Sequence, residues 1–71
     1  MEKIKKFADN LKALRKEQGW SQQELALKVR CTQQCISQWE NAQIEPTLSS
    51  LWMLSEVFEI SVDELIGKTD F

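Results

Sequence analysis

At 71 residues, with a formal net charge of −2 and a sequence pI near 5.0, the chain has room for a single domain, 1–71, and one small core. Its 42% apolar content, two glycines and single proline fit a globular helical protein; no apolar run nears the ~20 residues of a membrane span, and MEKIKKFADN is no signal peptide, so a cytoplasmic location is expected. With no histidine, no glycine-rich phosphate loop and only Cys31 and Cys35 as soft ligands, the sequence points away from an enzyme, a metal site or any cofactor.

The first element is KIKKFADNLKALRKEQ. Ile4, Phe7, Ala8, Leu11 and Leu14 recur at helical spacing, and Gly19 follows as a stop. At roughly 100° per residue, Lys5, Lys12 and Lys16 share a flank, while Arg15 falls inside the apolar arc and needs a partner. SQQE, Ser21 to Glu24, is a capping box that opens a second helix carrying Leu25, Ala26 and Val29, with Trp20 placed to staple onto Leu25. Only Arg30 and Cys31 separate Val29 from Thr32, a good N-cap, so a third helix follows after a tight turn. Cys31 and Cys35 read as small reduced residues packed where that helix begins.

On the third helix, TQQCISQWEN, the projection from Gln33 puts Ser37, Asn41, Gln34 and Gln38 within roughly 140° of one another. Cys35, Ile36 and Trp39 lie opposite, and Glu40 sits at the buried margin. Pro46 and Thr47 start a fourth helix in which Leu48, Leu51, Leu54, Ser55 and Phe58 are expected inward, with Trp52 also assigned to the core. Met53 and Val57 project away from that stripe. With Ile60 they form an apolar surplus and the candidate dimer interface. A second capping box, SVDE from Ser61, begins a last helix with Val62, Leu65 and Ile66, closed by Gly67. The expected fold is all-α, a compact bundle of five short helices with a helix-turn-helix at the second and third.

Charge is divided along the chain. Residues 1–30 carry eight basic side chains against four acidic, a net +4, and residues 31–71 carry one against seven, a net −6. The polar face of the third helix is therefore uncharged, and its chemistry is that of amides. Glutamine presents one donor and one acceptor in a plane, matching the amino group and ring nitrogen that adenine offers in the major groove. Gln33, Gln34 and Gln38, with small Ser37 among them allowing close approach, are the candidate base-reading residues.

Through SQQELALKV, TQQCISQWENA, EPTLSSL and ISVDELI, from about Leu11 to Ile66, the chain resembles the Xre/Cro-like helix-turn-helix domains of phage repressors and bacterial regulators. The TQQxIxQxEN pattern is especially similar to lambdoid-phage repressors that read operator bases with glutamines. The resemblance implies a lambda-repressor-like fold and sequence-specific binding of a double-stranded DNA operator, as a small transcriptional regulator or repressor. It implies further that Gln22 and Asn41 bind phosphates on either side of the groove and that Arg15 pairs with Glu40. Two departures stand out. Arg30 occupies a turn position usually held by Gly or Asn, so either the backbone avoids the left-handed region there or it is strained. The AQIEP loop after the third helix has Glu45 and no Lys or Arg where relatives place phosphate contacts, which leaves phosphate neutralisation to Lys12, Lys16, Lys28 or Arg30.

One recognition helix spans only a few base pairs, so a homodimer on paired half-sites is expected. The competing expectation is a protein-interaction module of the same fold, an antitoxin-like adaptor with weak or no DNA affinity that binds through Trp52, Met53 and Val57 or through the third-helix face.

Overall fold

The computed structural model describes residues 2–67, which form five helices: α1 (Glu2–Glu17), α2 (Gln22–Lys28), α3 (Gln33–Glu40), α4 (Leu48–Phe58) and α5 (Val62–Ile66). Helices of five to eight residues are marginal alone, so α2, α3 and α5 depend on their caps and on a shared core. Phe7 and Leu11 from α1, Leu25 from α2, Ile36 from α3, Leu54 from α4 and Leu65 from α5 are fully buried together. Burying side chains of this size contributes about 1.5–3 kcal/mol each. α1 packs across α3 and α5, with Phe7 edge-on to Trp39 at 6.3 Å between ring centroids. Asn10 Nδ2 donates to the Leu65 carbonyl at 3.1 Å and ties α1 to the end of α5.

Both capping boxes form as their sequences predict. Glu24 N–H donates to Ser21 Oγ at 3.0 Å while Ser21 N–H donates to Glu24 Oε1 at 2.8 Å, and Ser61 with Glu64 repeats the pattern. Thr32 and Thr47 cap α3 and α4 through their hydroxyls, at 3.1 Å from the amides of Cys35 and Ser50. At the other ends, three residues with side chains adopt positive φ: Arg30 at 57°, Ala42 at 58° and Glu59 at 57°. In each case the next amide reaches back to a helix carbonyl, Cys31 to Ala26 at 2.9 Å, Gln43 to Gln38 at 2.9 Å and Ile60 to Ser55 at 3.0 Å. Those bonds satisfy carbonyls the helix leaves open and hold the left-handed residue in place. At Arg30 the backbone therefore enters the left-handed region.

Helix α4 turns Leu51, Leu54, Ser55 and Phe58 inward as expected, but two of its large apolar residues lie outside that stripe. Leu48 is 76% exposed and Trp52 is 63% exposed, so neither belongs to the core. Met53, Val57 and Ile60, expected to face outward as an interface, are half-buried and packed against the core cluster. The buried centre of α4 runs through Leu54 and Phe58, which turns Leu48 and Trp52 out to solvent. Trp20 packs against the core, its ring lying against Phe58 at 5.5 Å between centroids.

Candidate nucleic-acid interface

The candidate surface is built on the turn between α2 and α3. Val29, Arg30, Cys31 and Thr32 connect the helices, and the left-handed Arg30 reverses the chain so that α3 starts beside the end of α2. Thr32 fixes the first turn of α3, where Gln33 and Gln34 are exposed. One turn on, Ser37 and Gln38 are half-buried on the same side. Asn41, at the C-cap, is exposed and its Nδ2 donates to Ser37 Oγ at 3.3 Å. Ile36 and Trp39 anchor the opposite face at 0% and 4% exposure. The result is a helix whose outer face offers amides and hydroxyls and no formal charge.

Beneath this face, Arg15, Glu40 and Gln22 form one network. Arg15 Nε donates to Glu40 Oε2 at 2.6 Å, Arg15 Nη2 donates to Glu40 Oε1 at 3.1 Å, and Arg15 Nη1 donates to the Trp20 carbonyl at 2.8 Å. Glu40 Oε1 also accepts from Gln22 Nε2 at 3.1 Å. The Arg15 and Glu40 side chains are 11% and 0% exposed, so this is a bidentate pair removed from water. Its hydrogen bonds to Glu40 hold the Arg15 guanidinium above its ordinary pKa despite partial burial, which keeps it charged throughout the folded state. The network joins α1, α2 and α3 and orients the Gln22 amide at the first position of α2, with one N–H and its carbonyl oxygen left for another partner.

The proposed cations are distributed around it. Lys12 and Lys16 are exposed on α1, and among the described residues neither hydrogen-bonds to α3. Arg30 is exposed at the turn. Lys28 is exposed too, but its Nζ sits 4.5 Å from the centre of the Trp20 ring, a cation–π contact no sequence signal indicated. The Gln22 bond to Glu40 was equally hidden, because it depends on how α2 lies against the end of α3. Cys31 and Cys35 are free, half-buried thiols flanking Thr32.

A family model described as helix-turn-helix matches residues 11–65. The HTH-type transcriptional activator BcrR of Enterococcus faecalis is 31% identical over 61 residues, covering 86% of this chain and 30% of that protein. Antitoxin HipB of Escherichia coli (strain K12) is 34% identical over 56 residues, covering 79% of this chain and 64% of that one. Among solved structures, a transcriptional regulator from Listeria innocua superposes with a TM-score of 0.84 at 28% identity, over 92% of this chain and 61% of that chain. The chain thus spans between 30% and 64% of the length of these three relatives. Buried α3 anchor, capped turn and matched family agree: the chain belongs to the Xre/Cro-like helix-turn-helix family of transcriptional regulators.

Proposed function

We propose that the chain is a sequence-specific double-stranded DNA-binding domain, acting as a small repressor-type regulator that reads the major groove with α3. The observation that carries this reading is the exposure of Gln33 and Gln34 on the first turn of a helix whose opposite face is locked into the core. Gln33, Gln34 and Gln38 pair their amides with base edges, and Ser37 lets the helix approach closely. Gln22, held by Glu40, and Asn41 contact phosphates at the two ends of the surface, and Lys12, Lys16, Lys28 and Arg30 supply the positive charge. Two copies on half-sites about one helical turn apart give a site long enough to be specific.

The test is selection of bound duplexes from a random library, followed by affinity measurements on the selected sequence. Gln33→Ala and Gln34→Ala should each lose about 1–3 kcal/mol of discrimination at one position per half-site, with little change on random duplex. No enrichment in the selection, or identical sequence preference in both variants, overturns the reading.

A further inference from the structure

We propose that the outer face of α4 is a docking site for a basic, amphipathic segment of another protein, whose apolar side chains seat on Leu48 and Trp52 and whose cation pairs with Glu56. Leu48 and Trp52 are exposed by 76% and 63%, although both are large apolar side chains on the first two turns of a helix. Ser49, Met53 and Glu56 lie beside them on the same helix face, which is an open surface. Leu48, Trp52 and Glu56 follow one another at intervals of four, so they form a continuous strip along the helix, apolar at its start and acidic further on. Tryptophan is a frequent anchor of protein interfaces, because it buries a large rigid surface at little cost in side-chain entropy.

Charge selects the occupant. From Cys31 to Gly67 the sequence has no Lys or Arg and six carboxylates: Glu40, Glu45, Glu56, Glu59, Asp63 and Glu64. Glu40 is committed to Arg15, and among the described residues Glu56 and Glu59 form no ion pair. A second copy of this strip offers no cation to pair with Glu56, and a nucleic acid brings phosphates against it. A lysine or arginine flanked by apolar residues at helical spacing matches both features: its cation lies over the Trp52 ring and against Glu56 while its neighbours pack beside Leu48. This site is separate in chemistry from the α3 face and does not require DNA binding.

The experiment uses the full chain, followed by two-dimensional amide NMR, and a helical peptide of leucines and lysines in an amphipathic pattern as the probe. The same pattern with glutamate in place of lysine, and oligolysine, are the comparison probes. The leucine–lysine peptide should shift the amides of Leu48, Ser49, Trp52, Met53 and Glu56 and the Trp52 indole N–H. Trp52→Ala and Glu56→Lys should each weaken it by at least about tenfold, whereas Glu64→Gln on α5 should leave it unchanged. Both α4 positions are exposed, so the variants keep the fold, which their unchanged spectra elsewhere establish. Equal binding of the glutamate peptide or of oligolysine overturns the proposal, as does the absence of shifts on α4. Self-association in sedimentation that Trp52→Ala abolishes assigns the face to a second copy, and α4 shifts on adding duplex DNA assign it to the nucleic acid; either result also overturns it.

Discussion

Glu40 stands where three helices meet, and its carboxylate has no contact with water, so the Arg15 pair belongs to the buried class rather than the surface one. Removing one partner of such a pair strands the other charge and costs on the order of 3–5 kcal/mol, against about 0–1 for an exposed pair. Glu40→Ala should therefore lose stability in the larger range by chemical denaturation, and a loss under about 1 kcal/mol contradicts the burial argument. Cys31 contributes a pH dependence at alkaline pH. Burial, with the neighbouring Cys35 thiol adding to it, pushes its pKa up from 9.0 to about 11. A folded-state pKa above the unfolded one means that the folded protein holds the proton longer, so the contribution is intact below pH 9 and is lost as pH rises towards 11. Cys31→Ser should flatten the decline in thermal stability across that window, and an unchanged profile means the decline comes from other groups.

The helix ends carry a cost of their own. Arg30, Ala42 and Glu59 hold positive φ without the freedom of glycine, and an L-residue there costs roughly 1–2 kcal/mol, part of which glycine's extra unfolded-state entropy offsets. Ala42 is exposed and its methyl group carries no polar contact to lose, so Ala42→Gly should stabilise by about 0.5–1 kcal/mol in denaturant titrations. A neutral or destabilising outcome means that the strain is relieved elsewhere. The element starts were legible because serine and threonine caps have a local chemical signature, at Ser21, Thr32, Thr47 and Ser61 alike. The left-handed ends were less so, since a loop can impose αL on arginine, alanine or glutamate with no sign in composition. The edges of the buried stripe of α4 were less legible for a related reason: Leu51, Trp52, Met53 and Leu54 are apolar on every side, so periodicity leaves open which of Leu48, Trp52, Met53 and Val57 flank the core and only the neighbouring helices settle it. The polar face of α3 was legible because Ile36 and Trp39 stand opposite a run without hydrophobes.

At the scale of the whole molecule, charge and recognition are separated. Among the described residues the basic side chains lie on α1, α2 and the turn, while α3 through α5 contain none and the loop after α3 brings Glu45 in place of a cation. In the proposed complex, neutral amides read sequence, and only two or three side-chain cations per subunit neutralise phosphates, assisted by backbone amides where α2 begins. Each neutralised phosphate contributes about −0.9 to the slope of log affinity against log salt, which puts a dimer at roughly −4 to −5. The measurement that bears most directly on this account is a salt titration of binding to the selected duplex and to a random duplex in parallel. It should yield two lines of similar slope, near −4 to −5, separated by a salt-independent offset that belongs to the glutamines. Coincident lines, or a slope as steep as about −10, would contradict recognition by an uncharged face.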